Sequence, residues 1–382
     1  MKIGIVVPYF TPFVRGNEYG LAEGLAGLGH EVVILASTGK APREKMVTNN
    51  SGAAGDLHFK VRYLRTWMDK SELPFTPSVM FEIFQGGFDV LLLQEDYQPI
   101  CHMAATAAWL RNVPTVLSTE RTYYPAARLK RIALRVFDRT INAFTRRIVT
   151  VYTAHCTAAK EFVEQSLRIK RGRVRVIHVG VDAGLFKRVT GVTPLAEGGF
   201  KVLTVARLHP YKGLDTLIRA MEIVRKARPD VVLYIMGRGP AAAELKELAS
   251  TLKVADVIRF VETPVPNQEM PPVYSSADLY IQPSLVEPYG IAVLEAAACG
   301  KPAICSDVGG MRDTVVDGET GFLVPPADPE ALAQKILLLT GNRQRLDRMG
   351  IAARNRVEAQ FDWPGIARQY QDIAGEISGK EL

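Results

Sequence analysis

Apolar residues in this chain fall into short continuous runs, separated by longer stretches in which they recur every three or four positions. KIGIVV at Lys2–Val7, EVVIL at Glu31–Leu35, DVLLL at Asp89–Leu93, Pro114–Leu117 and Arg147–Val151 read as strands. They are apolar on both faces, as strands of a parallel sheet covered by helices must be. Between them Glu18–Leu28 has a helical pattern, closed by Gly29 as a carboxyl-terminal cap. The stretch Lys187–Gly199 (KRVTGVTPLAEGG) is rich in Gly, Thr and Pro, lacks periodicity and reads as an interdomain linker. A second strand series follows: Lys201–Ala206, Val231–Met236, Val257–Val261, Leu279–Gln282, Pro302–Cys305 and Phe322–Val324. A last helix is predicted over Trp363–Ile377, with Pro364 in its first turn. This alternation predicts an α/β chain of two Rossmann-like doubly wound domains facing across a cleft. The expected boundaries are 1–190, 191–362 and a final segment, 363–382, that crosses back to the first domain.

The length of 382 residues agrees with two cores rather than one. Composition is that of a globular protein, 47% apolar and 23% charged. No apolar run reaches the ~18–20 residues of a membrane span, and Met1 leads straight into a strand-like segment. Cys101, Cys156, Cys299 and Cys305 have no paired spacing and read as buried free thiols. These features predict a cytoplasmic protein. The net charge of +7 is uneven, with +10 in residues 1–190 and −3 in residues 191–382. A basic front half calls for an anionic partner, and the absence of a basic, aromatic-studded recognition module argues against nucleic acid. The segment Ala126–Arg147 (AARLKRIALRVFDRTINAFTRR) sets Arg128, Lys130, Arg131 and Arg135 among Ile132, Leu134, Val136 and Phe137. It reads as one basic amphipathic helix suited to an anionic membrane surface, which would place the protein peripherally on the cytoplasmic membrane face.

The chemistry concentrates in the second half. In PSLVEPYGIAVLEAAACG (Pro283–Gly300) a strand ends, a turn carries Glu287, and a helix starting near Gly290 carries Glu295. Eight residues at ~1.5 Å rise separate these carboxylates by roughly 12 Å, wider than the ~5–9.5 Å of a glycosidase pair. Each is therefore read as gripping a different diol of one ligand. In VARLHPYKG (Val205–Gly213), Arg207 and Lys212 stand at a strand's carboxyl end, where a guanidinium and an ammonium suit phosphate oxygens. Gly16, in PYFTPFVRGNEYG, precedes a helix and admits a phosphate close to the backbone; Gly237, in MGRGP, follows a strand and could admit a nucleotide. No G-x-G-x-x-G occurs, which counts against a dinucleotide-dependent oxidoreductase. No Asp-x-Asp and no His/Cys cluster occurs, so neither metal nor cofactor is expected.

The linked elements VARLHPYKG, the E-x7-E of Glu287 and Glu295, and GGMRDTVVDGETGFLVPPADPEALA resemble retaining glycosyltransferase family 4, whose members have the GT-B fold. The resemblance extends through IHVGVDAGLF at 177–186 and FDW at 361–363. It implies that Arg207 and Lys212 bind and stabilise a departing nucleotide diphosphate. Glu295 would hold the ribose and Glu287 the transferred sugar, with backbone N–H groups near Tyr289, Gly290 and Ile291 also on that sugar. Gly16 would approach the phosphate from the first domain. The reaction implied is transfer from a nucleotide-diphosphate sugar to a glycan or lipid-linked acceptor, with Arg207, Lys212 and Glu287 as the catalytic set. Three departures stand out: Arg15-Gly16 in place of two glycines, Pro288 after Glu287, and Glu120 where relatives carry a histidine. Glu120 and Arg121 become the acceptor-side candidates. A sugar-nucleotide epimerase or phosphorylase on the same fold, and a non-catalytic carbohydrate- or nucleotide-binding module, stay open as alternatives.

Overall fold

Successive parallel strands need a crossover between them, and in this chain most crossovers are helices. The computed structural model describes residues 1–12, 16–38, 57–70, 73–125, 127–167, 169–170, 172–191, 194–195 and 199–380. The chain forms two compact units, residues 1–180 with 363–382, and residues 181–362. The change of unit therefore falls at Gly180–Val181, ahead of the expected boundary near 190. Of the expected linker, 192–193 and 196–198 lie outside the described residues.

Unit 1 contains β1 (Lys2–Val7), β2 (Glu31–Ser37), β3 (Lys60–Leu64), β4 (Met68–Lys70), β5 (Leu73–Phe75), β6 (Val90–Gln94), β7 (Thr115–Thr119), β8 (Val151–Ala154) and β9 (Val174–Val176). Seven of these form a sheet in the order β3-β2-β1-β6-β7-β8-β9, every neighbour parallel, while β4 and β5 form a separate antiparallel ribbon. Its helices are α1 (Asn17–Gly27), α2 (Ser78–Gly86), α3 (Pro99–Leu110), α4 (Arg128–Arg139), α5 (Ile141–Ile148) and α6 (Thr157–Ser166). Unit 2 holds β10 (Phe200–Val205), β11 (Val231–Met236), β12 (Ile258–Val261), β13 (Leu279–Gln282), β14 (Ala303–Ser306) and β15 (Gly321–Val324). They form a parallel six-stranded sheet ordered β12-β11-β10-β13-β14-β15. Around it lie α7 (Leu214–Ala227), α8 (Ala242–Thr251), α9 (Met270–Ser276), α10 (Ile291–Ala298), α11 (Met311–Thr314), α12 (Pro329–Thr340) and α13 (Arg343–Gln360). Its core joins Val202, Leu233 and Ile281 of the sheet to Leu217 and Met221 of α7 and Leu332 and Ile336 of α12, all essentially inaccessible.

The last helix, α14 (Trp363–Ser378), belongs to unit 1 and packs on α1. A Cβ at Gly20 would fall 2.1 Å from the Trp363 indole, and one at Gly24 would fall 2.8 Å from Ala367 Cβ. The two glycines, four residues apart on one face of α1, let the helices approach closely.

The basic segment is two helices rather than one. They meet at Thr140, whose φ of −111° and ψ of −91° leave the helical region. Thr140 Oγ1 donates to Val136 O at 2.9 Å, alongside the backbone bond that Thr140 N gives the same carbonyl at 3.1 Å. The expected strand at Arg147–Val151 is displaced by the same segment: α5 runs to Ile148 and β8 starts at Val151.

The break serves a buried charge network. Arg121, after β7, is 6% exposed and donates bidentately to Asp138 of α4, at 2.9 Å to each carboxylate oxygen. It also donates to Asp96, after β6, at 3.4 Å. Asn142 of α5 donates to both carboxylates, Tyr152 of β8 to Asp96 at 2.5 Å, and Tyr124 to Asp138 at 2.9 Å. Burial raises the Asp138 carboxyl, but the Arg121 hydrogen bonds and charge outweigh it and hold its pKa below the usual value. The network ties three strand ends to α4 and α5.

Two imidazoles in this unit are buried neutral. His155 Nδ1 lies 3.2 Å from Ile177 O and His102 Nδ1 lies 2.7 Å from Thr145 Oγ1; burial pushes each pKa down to about 4. Between pH 6.5 and 4 the unfolded chain therefore binds more protons than the folded one, so stability present above pH 6.5 is lost as pH falls. Thermal unfolding should show this loss, up to about 3 kcal/mol per histidine at ~1.4 kcal/mol per pKa unit. His155→Gln, referred to its own stability at neutral pH, should lose less over that window, and an unchanged loss would remove His155 from the account. Arg121→Ala should cost about 3–5 kcal/mol by stranding two buried carboxylates; a change below 1 kcal/mol in denaturant unfolding would contradict the network.

Candidate active site

In unit 2 the strand order reverses between β10 and β13. The crossover from β10 runs one way along the sheet and that from β13 the other, so α7 and α10 leave toward opposite faces and a crevice opens at the strands' carboxyl ends. The two loops that leave there carry the predicted cations and acids, and they are stitched together. Leu285 N donates to Tyr211 O at 2.9 Å. Gly213, with φ of +63°, caps α7 where a Cβ would lie 2.1 Å from Pro283 O. Only glycine permits that backbone contact.

Within this frame Lys212 Nζ donates to Glu287 Oε2 at 2.5 Å, both side chains nearly buried. Ser284 Oγ donates to the same oxygen at 3.2 Å and Gln282 Nε2 at 3.4 Å. All three contacts fall on Oε2. Arg207 is exposed, and its Cζ lies 5.9 Å from the centre of the Tyr211 ring; Lys212 Nζ lies 5.4 Å from the same centre. One aromatic ring thus has both cations beside it. The structure brings Arg207, Lys212 and Glu287 into one cluster. Tyr211, Ser284 and Gln282 were not singled out from sequence, since nothing in their spacing marks them.

Glu287 continues into Pro288, the buried Tyr289 and Gly290, which caps α10 at φ of +93°. A Cβ on Gly290 would meet Met311 Cε at 2.4 Å, and one on Gly309 would meet Glu287 O at 1.9 Å. Gly310 N donates to Pro288 O at 3.1 Å. The Gly309-Gly310 pair after β14 therefore braces the carboxylate's turn from behind. Ile291 opens α10, whose first N–H groups lack helical partners. Glu295, further along α10, has its own set: Tyr274 donates to Oε2 at 2.6 Å and Asn267 to Oε1 at 3.4 Å. Gly237, at φ of +146°, lets Ala206 O approach to 1.9 Å of where a Cβ would stand. Its freedom is spent on holding the loops after β10 and β11 together. Burial first, then the Glu287 charge, pushes the Cys305 thiol pKa well up, and burial raises that of Cys299 to about 12. Both are inert thiols. Among the described residues no group of three His, Cys, Asp or Glu has a metal-holding arrangement.

In unit 1 the order also reverses, between β1 and β6. Gly16 caps α1 after β1 with an ordinary extended backbone, φ −84°. Glu120 is half-buried just after β7. Arg121, expected on the acceptor side, is instead consumed by Asp96 and Asp138. Glu95, not noticed in the sequence, follows β6 in a left-handed conformation, φ +84°, with Oε2 buried and without a partner. Burial, then Glu120, Asp96 and Glu18, pushes its pKa well above the carboxylate range. A backbone conformation unusual for glutamate is invisible to spacing arguments. Arg128, Lys130 and Arg135 are exposed on α4 and Arg131 is half-buried.

Two family models match the chain consecutively, Glycosyltransferase Family 4 over residues 19–185 and Glycosyl transferases group 1 over residues 188–356. The chain is 28% identical over 390 residues to the phosphatidyl-myo-inositol mannosyltransferase of Mycolicibacterium smegmatis, covering 99% of this chain and 95% of that enzyme. It is 29% identical over 291 residues to the D-inositol 3-phosphate glycosyltransferase of Streptomyces avermitilis, covering 72% of this chain and 60% of that protein's length. Among solved structures, Anabaena HepE in complex with UDP superposes with a TM-score of 0.79 at 19% identity, covering 98% of this chain and 100% of that one; this likeness shows a shared GT-B fold. Two consecutive family matches, one on each doubly wound unit, place the chain in glycosyltransferase family 4.

Proposed function

We propose that the protein is a retaining glycosyltransferase that moves a sugar from a nucleotide-diphosphate donor to a glycolipid, polysaccharide or other glycoconjugate acceptor. The observation that carries this reading is the Lys212–Glu287 pair at the strand-order reversal, with Arg207 on the same Tyr211 ring. Two cations beside one carboxylate match a ligand that is anionic at one end and hydroxylated at the other. HepE, the structural neighbour, was crystallised with UDP, which agrees with a nucleotide-linked donor.

In this reading Arg207 and Lys212 hold the diphosphate and Glu287 offers Oε1 to the sugar's hydroxyls, its other oxygen being taken. Glu295 accepts the ribose hydroxyls in competition with Tyr274 and Asn267. Backbone N–H groups at Tyr289, Gly290 and Ile291 face the sugar. As the glycosidic bond breaks, charge grows on the leaving diphosphate, where the cations and helix amino-termini stabilise it. A leaving-group oxygen takes the acceptor's proton on the face it departs from, so the new bond forms there with configuration retained. Gly16 is assigned to the phosphate, Gly237 to shaping the nucleotide side, and Glu120 with neighbouring Glu95 to orienting the acceptor hydroxyl. Nothing in this scheme uses a metal.

The α4 surface is assigned to an anionic membrane, placing the enzyme peripherally at the membrane in cell-envelope synthesis. Leu129, Ile132 and Val136 are 83%, 49% and 56% exposed between its cations. No helix among the described residues is long and apolar enough to cross a membrane.

Arg207→Ala and Lys212→Ala should each lower turnover about 10²-fold or more with UDP-, GDP- or ADP-sugar donors. Near-normal turnover in both would overturn their role. A true donor at 100 times its Kd should stabilise the wild type by about 2.7 kcal/mol in a thermal-shift panel. For the membrane assignment, vesicle flotation at low salt should favour phosphatidylglycerol over neutral lipid. Replacing Arg128, Lys130 and Arg131 with Gln should cut binding on the order of 100-fold, at ~1 kcal/mol per cation. Equal flotation with neutral and anionic vesicles would remove that assignment.

A further inference from the structure

Arg135 and Arg139 of α4, Arg146 and Arg147 of α5, and Lys170 and Arg173 before β9 line one cavity of about 1010 Å³ in unit 1. A single carboxylate, Asp138, reaches its wall, and Arg121, Tyr124 and Asn142 already occupy it. Among the described residues none of the six cations enters an ion pair. Two of them are held in place: Arg146 Nη2 donates to Asp138 O at 3.0 Å, and Arg135 Cζ lies 5.2 Å from the Tyr124 ring centre. Arg146 Nη1 is buried without a partner.

Six like charges around a concave wall repel one another and focus a positive potential into the cavity. Solvation relieves exposed cations, whereas the buried Arg146 Nη1 has no protein acceptor. Guanidinium forks match phosphate oxygens in shape and charge. The volume is at the upper end of small-molecule sites, so it admits more than one phosphate. The cavity reaches toward both ends of the strands: Tyr124, which follows β7, lines it beside Asp138. Arg146 and Arg147 end α5 just before β8, and Lys170 and Arg173 precede β9, so these four cations lie toward the strands' amino ends. Glu95 and Glu120 follow β6 and β7 at the carboxyl ends.

We propose that this cavity is a second ligand site, binding a group that carries two or more phosphates. That group comes either from a phosphorylated lipid headgroup, since the exposed apolar residues of α4 adjoin the site, or from a soluble polyphosphorylated metabolite.

The probe is inorganic tripolyphosphate, titrated calorimetrically at low salt into the full chain. It is done in an Arg207→Gln/Lys212→Gln background, so that the donor cations do not report. One site should remain. Adding Lys170→Gln and Arg173→Gln should weaken it about 100-fold, at roughly tenfold for each charged hydrogen-bond donor lost. Arg139→Gln alone should weaken it about tenfold, which keeps the test open should the multiple variant fail to fold. Absence of heat in the parent background, or unchanged affinity in folded variants, would overturn the proposal. The source is read separately: release of the protein by tripolyphosphate from vesicles containing phosphatidylinositol bisphosphate, beyond its release from phosphatidylglycerol vesicles, identifies a lipid headgroup. Retained tripolyphosphate binding without vesicle competition identifies a soluble ligand.

Discussion

Everything in unit 2 that bears on chemistry depends on a topological constraint: a parallel sheet whose strand order reverses cannot roof both sides of the reversal with one crossover. The loops after β10 and β13 are left side by side at the carboxyl ends, with the helix amino-termini that follow them. Arg207 and Lys212 ride on one loop and Glu287 on the other. Residues 75 apart in sequence, Lys212 and Glu287, meet at 2.5 Å because their strands are neighbours.

That meeting requires backbone to pass very close to backbone, which explains the glycines. Gly213 against Pro283 O, Gly237 against Ala206 O and Gly309 against Glu287 O leave no space for a Cβ, and each has a positive φ. Glycine is costly in a flexible chain and cheap here, because no other residue reaches these conformations with neighbours so near. The turns that carry Lys212 and Glu287 are therefore fixed by backbone packed directly against backbone.

Unit 1 repeats the sheet logic with a different charge economy. Among its described residues one cation is deeply buried, Arg121, which is matched by Asp96 and Asp138 and anchors α4 and α5. The remaining cations of these helices are unmatched and turned toward a cavity or toward solvent. A front half with a net charge of +10 is thus no uniform coat. Arg121 anchors α4 and α5, while Lys60, Arg62 and Arg175 pair with Glu31, Glu82 and Glu376 elsewhere in the unit.

The order of apolar runs was enough to establish two doubly wound sheets, because both-faced burial and strand–helix alternation are written in residue type. Arg207, Lys212 and Glu287 were legible because they follow strand ends, whereas Glu295 lies further along α10. Several features belong to the tertiary structure alone. The change of unit at Gly180–Val181, the break at Thr140, the consumption of Arg121 and the left-handed Glu95 each depend on contacts between distant segments or on a backbone angle. Residue type restricts such angles only weakly. The sequence by itself determined which chemistry was present; which partner each charge received was decided by folding, since a buried charge is settled by whatever counter-charge the packing brings within hydrogen-bond reach.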